Sequence, residues 1–387
     1  MGLLVFARIS PRRYELAFFT VLRGSTKNRE EMPMAANSFV YNAWYVAGWD
    51  REVTTEPRAR TLLNEPVVLY RTAEGKPVAL EDRCCHRHFP LSLGKCIGDT
   101  IQCGYHGLRF DPAGKCIEIP GQDMIPRNAK VRSYPVMERY GWVWIWMGDP
   151  ALADPAKIPN WWWADHKDWA FTKPDALHIK CNYELVNDNL LDVTHLAYVH
   201  ATSIGTGAIT EFPINTERDG DRVRMVRWVI DRPAPPMYQK FGGFPGNADR
   251  GQIVEFQPPC FTVNFAQVAD TGTGAPEGKP GTRRIDLMAL SAPTPETETS
   301  THYFFGFVRN FGLTDPKLEE MMAVNFVNVF KEDVAVLTAQ QERMTRMPNA
   351  TEIDIKVDGP PKLARLVVSR LRAAEGSTLP GAASAAE

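Results

Sequence analysis

The chain has 387 residues, 44% hydrophobic and 23% charged, which is ordinary for a soluble globular protein and more than one small core requires. A formal net charge of -2 and a pI near 6.5 give no electrostatic attraction to nucleic acid or to an anionic membrane, which leaves small molecules and proteins as partners. No stretch approaches about eighteen consecutive apolar residues, so no spanning helix is expected, and seven cysteines without an even, spaced framework point to a reducing, cytoplasmic compartment.

Residues 1–37 carry scattered arginines, short apolar pieces and a polar run from Ser25 to Met32. Arg12-Arg13 interrupts the apolar run that a signal peptide would need, so the segment is expected to be a disordered extension, with Met32 or Met34 as candidate true starts. Beyond it, Val67-Val68-Leu69-Tyr70, Val78-Ala79-Leu80 and Thr100-Ile101-Gln102 are bounded by Gly, Pro and Asp turns and read as strands. Among them lie two Cys/His pairs, Cys84-x-His86 and Cys103-x-x-His106, with sixteen residues between. Thiolates favour soft metals and iron-sulfur clusters, and replacing two thiolates on one iron by neutral imidazoles makes the cluster easier to reduce. A structural zinc site accepts the same ligand types, although zinc pairs usually have spacers of two or more residues and the first pair here has one. Cys85 with His88 forms a rival pair.

The run Asp82-Arg83-Cys84-x-His86-Arg87, then Pro90-Leu91-Ser92-x-Gly94, then Cys103-x-Tyr105-His106-Gly107-Leu108-Arg109-Phe110-Asp111 resembles the Rieske domain of the Rieske non-haem iron oxygenases. The resemblance implies a [2Fe-2S] cluster held by Cys84, His86, Cys103 and His106, with Cys85 standing where many members carry proline. The extra cysteines that tie the loops in high-potential respiratory Rieske proteins are not at their expected places, which implies a low-potential cluster that serves an oxygenase.

Trp142-Val143-Trp144-Ile145-Trp146 alternates at strand period until Gly148-Asp149-Pro150 stops it. A domain boundary is therefore expected near residue 150, with a first domain over 38–150 that is mostly antiparallel β. A linker rich in Pro, Asp and Trp, from Pro155 to Trp163, opens a mixed helix-and-strand domain over 151–375, and a small-residue tail over 376–387 is expected to be disordered.

In that second domain the segment from Tyr183 to His195 predicts a helix, with Asp188, Asp192 and His195 at i, i+4 and i+7 on one face. His200 falls roughly 140° around an ideal helix from His195, so both histidines reach one metal only if the helix bends, bulges or ends nearby. Two imidazoles and a carboxylate on adjoining positions suit non-haem iron(II) working on dioxygen, whereas a lone histidine pair is more often structural. The segment Val254 to Val268, with Phe261, Asn264 and Phe265, reads as a strand, either lining a pocket or forming ordinary sheet core. A long helix follows from Asp315, a plausible N-cap with Pro316 behind it, through Met344. Along it Phe326, Phe330, Asp333, Leu337 and Gln340 form one stripe, and a carboxylate that interrupts an apolar stripe needs a cation. Glu332, turned about 100° away, has the solvent-facing alternative.

The spacing Asp192-x-x-His195-x-x-x-x-His200 is similar to the mononuclear iron motif of the same family, and Phe330-Lys331-Glu332-Asp333 with Leu337-x-Ala339-Gln340-Gln341 is similar to its aspartate segment. The resemblance implies iron(II) held by His195, His200 and Asp333, with Asn189 near it as a weak ligand or positioning group. It also implies that Asp192 links His106 of one subunit's cluster to His195 of the next, within a homotrimer. The implied architecture is α+β, an antiparallel β Rieske domain followed by a catalytic domain in which helices flank an antiparallel sheet. A separate flavin and iron-sulfur reductase would pass electrons from NAD(P)H, with dioxygen as cosubstrate. His302-Tyr303-Phe304, Arg309-Asn310-Phe311 and Asp354 through Pro360 with Ala364-Arg365 point to the branch that oxidises methyl groups of aromatic acids. O-demethylation is expected there, with methyl hydroxylation or ring dioxygenation as alternatives. A plain electron carrier would need only the first domain, and a demetallated relative would lack at least one of these ligands.

Overall fold

Short runs of branched and aromatic residues between turn formers become short antiparallel strands along the first part of the chain. The computed structural model describes residues 38–279 and 283–376. The extension over 1–37 and the tail beyond Gly376 lie outside the described residues, while Gly376 itself ends a helix. The strands are β1 (Trp44–Trp49), β2 (Arg58–Leu62), β3 (Glu65–Arg71), β4 (Pro77–Glu81), β5 (Lys95–Ile97), β6 (Thr100–Gln102), β7 (Arg109–Phe110), β8 (Cys116–Glu118), β9 (Ser133–Tyr134), β10 (Val136–Arg139) and β11 (Trp142–Trp146). They make three sheets, ordered β1-β11-β10, β2-β3-β4-β9 and β5-β6-β7-β8. Every residue of β11 is buried, so both of its faces are covered. Trp142 stacks on Trp49 with ring centroids 4.8 Å apart and meets Trp161 edge-on at 5.0 Å. Trp161 belongs to the Pro- and Trp-rich segment expected to be a linker, which is thereby pinned into the core.

The rest of the chain builds β12 (Ala170–Thr172), β13 (Leu177–Ile179), α1 (Tyr183–Leu191), β14 (Asn215–Asp219), β15 (Arg222–Pro233), α2 (Pro236–Gly242), β16 (Asn247–Gln257), β17 (Phe261–Asp270), β18 (Arg284–Thr297), β19 (Ser300–Arg309), α3 (Pro316–Arg346) and α4 (Gly359–Gly376). Eight strands form one antiparallel sheet, ordered β12-β19-β18-β17-β16-β15-β14, with β13 also on β19. The segment Val254 to Val268 is a hairpin rather than one strand. Prolines lack the N–H that a ladder needs, so the chain turns at Pro258-Pro259 and pairs Gln257 with Phe261.

Asp315 caps α3 by accepting from the N–H groups of Lys317 and Leu318. The apolar stripe of α3 packs on the sheet: Phe326 stacks on Phe307 at 3.9 Å, and Phe330 meets Phe305 at 4.7 Å. On the other side of α1, Arg372 of α4 pairs with Glu184 at 2.8 Å. Residues on either side of position 150 share one core, in which Trp144 packs against Phe261. Leu63 N–H donates to the Pro295 carbonyl at 3.0 Å and the Thr294 hydroxyl to the Val46 carbonyl at 2.8 Å. Among the described residues no helix is long and apolar enough to cross a membrane.

Candidate cluster and iron sites

The two Cys/His loops share one backbone plan. Cys84 N–H donates to the Phe89 carbonyl at 2.9 Å and His88 N–H to the Cys84 carbonyl at 3.0 Å; Cys103 N–H donates to Leu108 at 2.8 Å and Gly107 N–H to Cys103 at 3.1 Å. The fifth residue of each loop closes the turn in the left-handed region, His88 at φ 57° and Gly107 at φ 75°. Asp82 holds the first loop from below, its carboxylate accepting from Ser92 N–H at 2.7 Å and Ser92 Oγ at 2.6 Å.

This plan buries Cys84 and Cys103 together and leaves His86 and His106 outside, with their rings 4.6 Å apart. Burial pushes the Cys84 thiol up to about 12, a backbone hydrogen bond at His86 pulls the other way, and the neighbouring Cys103 adds to the rise. A thiol so placed becomes a good ligand only when a metal takes its proton. Soft donors inside and imidazoles at the rim fit a [2Fe-2S] group with one sulfur-ligated and one histidine-ligated iron. His88 of the rival pair is occupied in closing the turn, and Cys85 stands outside the buried thiol pair.

The second centre forms where α1 ends. The predicted helical stripe through Asp188, Asp192 and His195 does not form, because α1 stops at Leu191 and Asp192 leaves helical geometry at φ -98°, ψ 86°. An aspartate favours such a break, since its side chain competes for nearby backbone N–H groups, and here Oδ1 accepts from Thr194 N–H at 2.8 Å. Asp188 stays on the helix and turns away to Arg365 of α4, with Nε 3.0 and 2.9 Å from its two oxygens. Past the break, His195 starts a 3-10 turn, and His200 lies buried beyond it.

Both imidazoles have Nδ1 engaged. His195 Nδ1 donates to the main-chain carbonyl of Asp192, not to its carboxylate, and His200 Nδ1 lies 2.6 Å from Glu332 Oε2. Each therefore presents Nε2 to Asp333, at 3.5 Å from His195 and 3.1 Å from His200. The three ligand atoms lie within 4.8 Å of one another. Asp333 is buried, and Asn189 Nδ2 donates to its Oδ1 at 3.0 Å, which makes Asn189 a positioning group for that carboxylate. Burial holds His195 below the ordinary histidine value despite Asp333; it acts the same way on His200, where Asp333 and Glu332 outweigh it and raise the value. Two nitrogens, one carboxylate oxygen and engaged outer nitrogens fit iron(II) with positions left for reactants.

Glu332 has a partner that sequence reasoning missed. Its side chain is 39% exposed, so it does face solvent in part, yet it reaches His200 from the helix position next to Asp333. No periodicity separates a solvated glutamate from one that leans over a neighbouring histidine. Asp188, Asn189, Asp192 and His195 also line a cleft of about 680 Å³ whose far wall carries Glu352 and Asp354.

Both groups of residues lie in segments that match known protein families. Residues 43–135 match the Rieske [2Fe-2S] domain and residues 179–374 match the vanillate O-demethylase oxygenase C-terminal domain. The chain is 43% identical to the iron-sulfur subunit of the toluene-4-sulfonate monooxygenase system of Comamonas testosteroni, over 88% of this chain and 100% of that protein. It is 39% identical to a vanillate O-demethylase oxygenase subunit of a Pseudomonas species, over 87% of this chain and 96% of that one. Dicamba monooxygenase, in a crystal structure with 3,6-dichlorosalicylic acid, superposes with a TM-score of 0.82 at 33% identity, covering 88% of this chain and 99% of that one. With a Rieske domain that implies a [2Fe-2S] cluster and a catalytic domain of this type behind it, the chain belongs to the Rieske oxygenases of the vanillate O-demethylase family, as the oxygenase component of a monooxygenase.

Proposed function

We propose that the protein oxidises the methyl group of a small aromatic acid, as O-demethylation of a methoxylated substrate such as vanillate with release of formaldehyde. The observation that carries this reading is the group His195, His200 and Asp333, gathered behind a Rieske loop pair in a chain of this family. Iron(II) held there supplies the dioxygen chemistry, and the cluster supplies electrons singly. In sum, an aryl methyl ether, dioxygen, two electrons and two protons give a hemiacetal and water, and the hemiacetal collapses to phenol and formaldehyde. The chain's own residues hold this arrangement in place: the Asp192 carbonyl and Glu332 orient the two imidazoles, and Asn189 steadies Asp333.

The division into 38–150 and 151–375 is proposed as the functional one, with electrons crossing between subunits. His86 and His106 are exposed at the tip of their loops beside Arg87, and the cleft at Asp192 carries five carboxylates against Lys362 and Arg365, which pair with Asp354 and Asp188, so its net charge is negative and complementary to that of the loop tips. A head-to-tail contact of this kind closes into a ring, which supports a homotrimer fed by a flavin and iron-sulfur reductase that uses NAD(P)H. The toluene-4-sulfonate relative favours a second reading, hydroxylation of an aryl methyl group. Oxygen uptake with a surrogate NADH reductase, measured across vanillate, other methoxybenzoates, dicamba and toluenesulfonate, separates them. Formaldehyde from a methoxybenzoate supports demethylation, a hydroxymethyl product from toluenesulfonate supports the second reading, and oxygen loss without either product refutes both.

A further inference from the structure

The sheet face that α3 covers is mostly apolar, yet three polar side chains stand together on it. Arg227 of β15 is opposite Gln252 of β16, and Val229 is opposite Arg250. Strand alternation therefore puts Arg227, Gln252 and Arg250 on one face within reach of one another. The ladder shows which face. Gln252 registers with Ala266, Ala266 with Leu287 and Leu287 with Arg309, two residues from the Phe307 on which Phe326 of α3 stacks.

All three are buried, at 3%, 4% and 5% exposure for Arg227, Arg250 and Gln252. A guanidinium keeps its proton in a protein, so two cations are held away from water. Among the described residues neither forms an ion pair with an acid within 4.0 Å. Arg227 donates from Nη2 to Thr194 Oγ1 at 2.9 Å, and Arg250 from Nη1 to the Ile204 carbonyl at 3.2 Å. The remaining Nε and Nη1 of Arg227, Nε and Nη2 of Arg250, and Oε1 of Gln252 have no partner among the described residues. Thr194 precedes His195 and Ile204 follows His200, so both anchors belong to the loop that carries the iron histidines. On the same inner face Asn264, Ala266 and Ala289 remain partly accessible although Val268 and Leu287 beside them are buried.

The Asp192 carboxylate acts on Arg227 only from beyond ion-pair distance; buried cations without a directly paired anion are costly, and planar guanidiniums with free N–H groups match the geometry of a carboxylate or sulfonate. We infer that Arg227, Arg250 and Gln252 form the recognition site for the anionic group of the substrate, beside the loop of His195 and His200, and so select aromatic acids over their neutral analogues. This assignment rests on the reading of the protein as an oxidase of aromatic methyl groups, and it names the residues that impose the acid requirement.

The test uses the full-length protein with cluster and iron in place and compares 4-methoxybenzoate with 4-methoxybenzamide, and 4-toluenesulfonate with 4-toluenesulfonamide. Calorimetric titration on resting protein reads binding without turnover, so the anion site can stand even if no methyl group is oxidised, and it can fail while formaldehyde is still formed. The wild type is expected to bind each acid at least roughly thirtyfold more tightly than its amide, and Arg250→Gln and Arg227→Gln each to remove most of that preference. Melting temperature and cluster absorbance check that the variants are folded. Should Arg250→Gln lose its cluster, Arg250→Lys replaces it, and weaker binding of the acid with unchanged binding of the amide supports the site. Equal affinity of the wild type for acid and amide overturns the inference, as does unaltered binding of 4-methoxybenzoate in the folded Arg250 and Arg227 variants.

Discussion

Replacing Glu332 by alanine should weaken iron binding without touching the cluster. Glu332 Oε2 lies 2.6 Å from His200 Nδ1 and fixes which nitrogen of that imidazole faces Asp333. Outer-shell carboxylates on metal-bound histidines are worth about 10- to 100-fold in metal affinity, or roughly 1.4 to 2.8 kcal/mol. With 39% of its side chain open to solvent, Glu332 belongs near the lower limit, because water screens its charge. Glu332→Ala should therefore raise the iron dissociation constant about tenfold, and Glu332→Gln, which keeps an acceptor for Nδ1, should raise it less. Competition with a ferrous chelator on iron-stripped protein reads the constant, while visible absorbance reports the cluster. An alanine variant with wild-type iron affinity would refute the view that this contact orients His200.

Asp192→Asn should slow electron transfer between centres while leaving both loaded, and a pre-reduced sample that turns over once at full speed would contradict that role. Phe330→Ala should destabilise the protein by about 3–5 kcal/mol in denaturant melts, because its ring packs on Tyr303, Phe305 and Phe307 at 5.3, 4.7 and 5.7 Å. Burial, with the Arg60 charge adding to it and Glu296 opposing it, pushes His302 down to about 4. The unfolded chain binds that proton near 6.5, so stability is full above 6.5 and falls as the pH drops toward 4, by up to ~3 kcal/mol. His302→Gln should flatten this part of the melting temperature against pH profile.

Much of this was legible in the sequence because the ligands sit in short local patterns. Cys84-x-His86 and Cys103-x-x-His106 each fit within one turn, and the buried Asp333 announced itself as a charge inside the Phe326, Phe330, Leu337 stripe. The condition that the helix bend, bulge or end near His195 also followed from helical pitch, and of the three α1 takes the last by ending at Leu191. What was missed was non-local. Asp188 belongs to Arg365, some 177 residues away, and Glu332 to His200, across 132. Arg227 and Arg250 read as ordinary strand residues until the β15–β16 register put them on the covered face. Nothing in the alternation of a single strand says which face is covered.

Asp333→Ala is the most direct measurement of the central claim. Iron content, turnover with a surrogate reductase and the visible spectrum are read on one preparation. The expected result is loss of the mononuclear iron and of all product, with the cluster spectrum intact. Wild-type turnover in that variant would contradict the assignment of His195, His200 and Asp333 as the oxygen-using centre.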